Sequence, residues 1–420
     1  MKKHILMILI ISILFSFSSC GNQNGAEEDV LTVWMLNDTE RMREILSTYQ
    51  NMNPDVQLQI EIGVPDYDTT VTDALKKLNT RLLGGEGPDV LILDDVNVHQ
   101  YIEAGVLAEL KGLDLDALPA GIKANIAKDG NVYCVPTHLA LPMNMQASDL
   151  DVDFTNLKQF NEDVKSQRLN VTYFENLSSL WYKTAMEPKL IANKGADIKV
   201  MQSFFEELMD LMKYVLKDEE YFFASYQQVN MQVNPLSLFS KIYYGELDCG
   251  KEYVASMMDL QTICSMMEKK EIKAEICRTG NDCMYIPMGQ VAINANSRKQ
   301  KDAKKLVAYL LSKEGQLDFA GIGGAEVIPV NKEALKEAMK ESDVIRITYG
   351  NLGEYETPPF SAERSAWVME QMDALKYEAA TDGKLMEIVM LGAQSYLNGE
   401  TTLENAAADT CQKMELYFNE

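Results

Sequence analysis

Leu31-Thr32-Val33-Trp34-Met35, Val56-Gln57-Leu58-Gln59-Ile60-Glu61-Ile62 and Asp89-Val90-Leu91-Ile92-Leu93 are three β-rich runs spaced over about sixty residues, and what lies between them decides the fold. Between the first two, Met42, Ile45, Leu46 and Tyr49 recur at the spacing of one helix face, and Asn53-Pro54 ends that helix. Val71, Leu75, Leu78 and Leu82 mark a second helix, broken by Gly84-Gly85-Glu86-Gly87-Pro88. The second run alternates apolar with polar, as a strand with one buried face does. The third is almost wholly apolar, as strands covered on both faces are. Strand, helix, strand, helix, strand predicts an α/β layer structure with a mainly parallel sheet, and ligands of such sheets bind beyond the carboxyl ends of the strands. Those ends are Met35 to Thr39 and Asp94 to Asn97.

Outward from this unit, the region from about Asp149 to Asp282 is richer in long helices, with Gln202 to Leu216 and Glu252 to Lys269 as candidates. It reads as a separate lobe. Val291-Ala292-Ile293-Asn294 forms a further β-run before an amphipathic helix carrying Ala303, Leu306, Val307, Leu310 and Leu311 on one face. The chain ends in a helix with Thr401 and Glu404 spaced as a capping box, and with Leu403, Ala406, Ala407, Thr410, Met414 and Tyr417 as its stripe. The length of 420 residues exceeds what one core usually serves, so two lobes are expected.

At the N-terminus, Lys2, Lys3 and His4 precede an apolar run from Ile5 to Phe17, too short for a comfortable permanent membrane helix. Residues 1–19 therefore read as a signal peptide. Ser18-Ser19-Cys20-Gly21 resembles the lipobox of bacterial lipoproteins, which implies cleavage before Cys20 and acylation of its thiol and new amine. Two or more acyl chains hold a protein stably on a membrane. Residues 20–29, rich in Gly, Asn, Gln and Glu, have the composition of a flexible tether. The net charge is −24, so neither nucleic acid nor anionic headgroups suit this surface, and the membrane is to be reached through the lipid alone. Beyond Cys20 lie Cys134, Cys249, Cys264, Cys277, Cys283 and Cys411, expected to be mostly buried thiols, with Cys277 and Cys283 the one pair worth checking for a bridge.

Several segments carry a family resemblance. They are Leu31 to Tyr49, Gly87-Pro88-Asp89-Val90-Leu91 through Leu110, Val291 through Gln316, Pro329-Val330-Asn331-Lys332, and Tyr396-Leu397-Asn398-Gly399-Glu400 with the helix after it. In this order the chain resembles the extracellular solute-binding proteins of carbohydrate-type ABC importers, the group that contains the maltodextrin-binding protein. The resemblance implies a two-lobed, periplasmic-binding-protein-like α/β fold with a ligand cleft between lobes. The hinge would be crossed near His138 to Pro142, Pro287 to Gly289 and Ile328 to Asn331. Residues 30–140 plus 289–330 would form lobe 1, and 141–288 plus 331–420 lobe 2. It further implies a monomer that binds a small solute, a sugar or oligosaccharide, without cofactor or catalysis, and hands it to permease subunits outside the cell membrane or in a periplasm. A polyamine or other cation, and a sensor or adhesion role on the same fold, are the alternatives. HExxH and GxSxG motifs of a surface hydrolase are absent from the sequence.

Site residues follow from the same resemblance. Asp38 matches the first-strand loop that supplies a carboxylate to sugar hydroxyls, and serves equally as a helix N-cap. Asp94, Asp95 and Asn97 occupy the loop after the third strand, where maltodextrin binders carry an Asp-Arg pair and this chain has Val96-Asn97. His138 lies beside Ala140, the position of a family glutamate. Trp367, and with less weight Tyr67 and Trp181, are the rings available to stack on sugar faces, while Trp34 reads as core. The glycine-lysine-alanine-alanine-methionine-like run of the family's second lobe is not evident between Tyr221 and Asp282.

Overall fold

Alternation and helical spacing in residues 30–93 produce the expected unit: β1 (Val30–Met35), β2 (Gln57–Ile62) and β3 (Val90–Ile92), joined by helices Glu40–Met52 and Val71–Leu83. The computed structural model describes residues 30–66, 68–171, 174–216, 237–280, 282–320, 326–348, 353–379 and 382–419. The signal segment, Cys20, the tether and Tyr67 lie outside the described residues. β1 pairs in parallel with β2 on one side and β3 on the other. Asp89 locks this register, because its Oδ2 accepts both Thr32 N–H and Thr32 Oγ1–H at 2.9 Å while its Oδ1 accepts Ser297 Oγ–H at 2.7 Å. A buried carboxylate so bonded is satisfied on both oxygens.

Next come a hairpin of β4 (Ala127–Lys128) and β5 (Asn131–Val132), the short β6 (Cys134–Val135), and β7 (His138–Ala147). β8 (Cys249–Val254), β9 (Ile272–Ile276), β10 (Arg278–Thr279), β11 (Asp282–Met288), β12 (Val291–Ile293) and β13 (Ile328–Pro329) follow. The hairpin β14 (Ile345–Thr348) with β15 (Glu354–Thr357), and then β16 (Leu375–Glu378), complete the strands described. The first lobe is built on a sheet of order β2-β1-β3-β12-β6. The second carries a sheet in which β7 pairs with β8, β9, β11 and β13, and β16 pairs with β11. The three segments expected as crossings meet on β7, where Leu139 faces both Pro287 and Ile328. Past Ala140, β7 runs on into the second lobe against β8 and β9.

A second core fills the helical part of that lobe. Phe160, Phe174, Trp181, Tyr182, Phe205 and Leu208 pack with Val389 of helix Gly383–Leu397 and Met414 of helix Leu403–Asn419. Trp34 is buried in the first lobe, as expected. Three sequence expectations are corrected here. Glu252 to Val254 are strand, not helix, because six residues of β8 pair with β7, and Ser256 caps the helix Met257–Glu268 that follows. The long helix expected from Gln202 begins earlier, at Ile198. Thr402 rather than Thr401 stands before the last helix and accepts Asn405 N–H at 3.3 Å. Cys277 and Cys283 are both free thiols. Among the described residues no helix is long and apolar enough to cross a membrane.

Candidate functional site

The chain leaves β3 at Leu93 and enters the loop Asp94–Asn97, at the carboxyl edge of the parallel strands. Asp94 is half-buried and accepts Gln290 N–H at 3.1 Å, while Gln290 Nε2 donates to Leu93 O. Burial pushes the Asp94 carboxyl up to about 7, with the Gln290 amide opposing and the neighbouring Asp95 reinforcing the shift. Asp95 adopts a left-handed φ of 57°, its carboxylate 3.6 Å from Lys183 Nζ and its carbonyl accepting Gly383 N–H at 2.8 Å. Asn97 precedes helix Val98–Glu103 without capping it, its side chain instead hydrogen-bonding to Asp382 and Tyr417.

The second lobe meets this loop with a π-helical turn, Tyr182–Met186, inserted ahead of helix Glu187–Asn193. Such turns often accompany functional positions. Glu187 is fully buried; its Oε1 accepts Asp382 N–H at 2.7 Å and its Oε2 has no hydrogen-bond partner among the described residues. Burial raises this carboxyl well above the usual range, against the opposing charge of Lys183. Asp382 caps helix Gly383–Leu397 by accepting Leu385 N–H at 2.9 Å, and also accepts the Tyr417 hydroxyl.

A cavity of about 420 Å³ opens between the two lobes beside this cluster. The first lobe lines it with Asn97, His99, Asn125, Lys128 and Gln290. The second contributes Pro188, Ile191, Tyr377, Glu378 and Asp382. Burial pushes the Glu378 carboxyl up to about 7, and a hydrogen bond with Tyr285 works against the shift. A concave, part-apolar cavity of a few hundred Å³ with a few convergent polar groups is the form small-molecule sites take. A wider groove of about 720 Å³ lies within the second lobe alone, between Leu190, Ile198 and Cys411.

Of the residues expected from sequence, Asn97 lines the cavity and Asp94 and Asp95 stand in the same loop. Tyr67 falls outside the described residues, and Asp38, His138, Trp181 and Trp367 lie elsewhere. Asp38 is exposed and bound to Arg43, which holds its carboxyl below the usual range, and the N-cap position of the following helix is Thr39. The His138 ring packs 4.7 Å from Phe319, with Nδ1 3.0 Å from Thr137 Oγ1, and burial pulls the imidazole down to about 3. Trp181 is 1% exposed, with Lys251 Nζ 4.0 Å from its ring centre. Its face is thus taken by the protein's own cation. Trp367 packs half-buried against the large core cluster rather than the cavity. Sequence reading missed Lys183, Glu187, Tyr377, Glu378 and Asp382. Glu187-Pro188 opens a helix and Asp382-Gly383 caps one, so both had a local signal, but each resembles an ordinary helix start.

Residues 44–347 match the family of bacterial extracellular solute-binding proteins. The chain belongs to that family. These are binding proteins, not enzymes. No curated protein matches this solute-binding protein in sequence. Among solved structures, it is similar to the GacH receptor of Streptomyces glaucescens, studied unliganded and with acarbose. That receptor is 14% identical, with 93% of this chain and 98% of that one covered and a TM-score of 0.58. The sugar-binding protein MalE of Xanthomonas citri is 12% identical over 93% of this chain and 97% of its own, with a TM-score of 0.55. An ABC transporter solute-binding protein of Thermotoga lettingae bound with α-D-tagatose is 13% identical over 93% and 100%, with a TM-score of 0.56. At these identities the likeness establishes the shared two-lobed fold.

Proposed function

We propose that this protein is held on the outer face of the cell membrane by a lipid on Cys20, closes its lobes on a sugar or short oligosaccharide, and delivers it to an ABC permease. The observation that carries the reading is the 420 Å³ cavity with walls from both lobes. Its apolar wall at Pro188 and Ile191 and its ring at Tyr377 suit the C–H faces of a sugar, while Asn97, Gln290 and Glu378 suit hydroxyls. Lobe 1 would comprise 30–140 with 289–330, and lobe 2 the remainder, hinged on β7, β11 and β13. Asp94 and Asn97 are the sequence-derived contacts retained for the solute.

A thermal-shift screen of the chain from Val30 onward, against mono- and oligosaccharides, polyamines and metal ions, tests the solute class. A solute at a hundred times its dissociation constant stabilises by about 2.7 kcal/mol, well within detection. A sugar that shifts the wild type but not Tyr377→Ala supports the reading. A polyamine as the sole hit keeps the fold and overturns the carbohydrate assignment. For the anchor, Cys20→Ser is expected to move the protein from the membrane fraction to the medium, and retention on the membrane would refute lipidation.

A further inference from the structure

We propose that Asp95, Lys183 and Gly383 form an interlobe clasp, positioning the two lobes against each other rather than touching the solute, and so set how readily the cleft closes. The proposal rests on the reading of a hinged, two-lobed capture device. Its basis is a seam beside the cavity in which first-lobe and second-lobe groups bond directly. Asp95 holds a φ of 57°, unusual for a residue with a side chain, and this turns its carbonyl onto Gly383 N–H at 2.8 Å. That amide is at the start of helix Gly383–Leu397, one of the donors a helix leaves without an internal partner. The first lobe supplies the missing acceptor, at the end of the helix dipole that favours it. The Asp95 carboxylate then reaches Lys183 on the π-helical turn, 3.6 Å away.

Gly383 eases this approach. A Cβ there would sit 3.0 Å from Asp95 O and 3.3 Å from Asp95 Cβ, inside ordinary contact distance, and the nearest obstacle is backbone that cannot rotate away. One more bond continues the seam, from the Thr72 hydroxyl to Glu387 Oε2 at 3.3 Å, and Gln100 Oε1 lies 3.3 Å from the Tyr417 hydroxyl, whose proton goes to Asp382. The clasp bonds form only when the lobes meet, so they add to the closed state alone. A solute's apparent affinity scales with the population of the state that binds it. Weakening the clasp therefore lowers affinity for every solute by the same factor and leaves selectivity unchanged.

The test needs no solute. Spin labels on Leu83→Cys and Leu416→Cys, 71% and 60% exposed on opposite lobes in the wild type, report lobe separation in a Cys411→Ser background. Gly383→Ala introduces the wedge without backbone strain, since alanine suits a first helical turn. Asp95→Asn keeps the left-handed turn and removes the charge, and Lys183→Met removes its partner. All three are expected to move the distance distribution outward, Gly383→Ala most, with unaltered far-ultraviolet circular dichroism. Distributions that superimpose on wild type, with unchanged melting, would overturn the clasp and leave hinged capture standing. An unchanged distribution with a lowered melting temperature in Gly383→Ala would show the lobes to be one rigid body, and both the clasp and the closure mechanism would fall.

Discussion

Raising the pH from about 5 to about 8 is expected to destabilise this protein, and Asp94 is expected to carry a separable share of the loss. Its carboxyl is moved from 3.8 to about 7 by burial beneath the loop, so between those values the folded protein holds a proton that the unfolded chain has released. Stability falls wherever the folded state binds more protons than the unfolded one as pH rises. The favourable protonated form is thus complete at the acid end of the window, and the full penalty applies above about pH 7. At roughly 1.4 kcal/mol per unit, complete burial would make this about 4 kcal/mol, and the residue's remaining solvent contact reduces it to about 1–2 kcal/mol. Asp94→Asn keeps an oxygen for Gln290 N–H and abolishes the titration. Urea unfolding followed by tryptophan fluorescence should find the variant's advantage smaller near pH 5, where only about a third of the loss has accrued, and about 1–2 kcal/mol near pH 8. Repulsion within a chain of net charge −24 also grows with pH, but both proteins share it. A stability difference that stays constant from pH 5 to pH 8 would refute the argument. Glu378→Gln, at the opposite wall, is expected to behave in the same direction.

Gly392→Ala would place a Cβ 1.9 Å from Thr410 Oγ1, where the last two helices touch, and is expected to cost about 1–3 kcal/mol by overpacking. Adding Thr410→Ala should recover most of that in thermal unfolding, because the Thr410 hydroxyl is buried without a hydrogen-bond partner among the described residues. Trp181→Ala is expected to cost about 3–5 kcal/mol in denaturant unfolding and leave the ranking of solutes unchanged, since its ring lies in the core. Tyr377→Ala should do the reverse, and a changed solute ranking in the tryptophan variant would return Trp181 to the cleft.

The contrast between these two rings shows where sequence reading stopped. Tryptophans drew attention as stacking surfaces, yet Trp181 lies in a packed core and Trp367 packs half-buried against another, while a tyrosine on β16 that no local pattern distinguishes lines the cavity. Asp38 failed for a similar reason: Arg43, one helical turn on, takes its carboxylate. Asp94, Asp95 and Asn97 do follow the third strand at the carboxyl edge of the parallel sheet, a position that follows from strand direction, which periodicity reveals. Their separate roles, with Asn97 at the cavity and Asp95 against the other lobe, were not legible.

Periodicity, turn residues and composition by themselves determined the α/β unit at residues 30–93, the burial of Trp34, and the helical stripe from Ala406 to Tyr417, because each depends on residues within one or two turns of each other. Tertiary structure alone decided what β7 joins, why Glu252 is strand, and how Asp94 comes to face Gln290 across 196 positions of sequence. The cleft is lined by such pairs: Glu187 meets Asp382 once the second lobe has folded, and Asp95 meets Gly383 only once the two lobes have folded and met. A one-dimensional pattern records which face a residue presents, and the identity of the group it meets depends on the path of the whole chain.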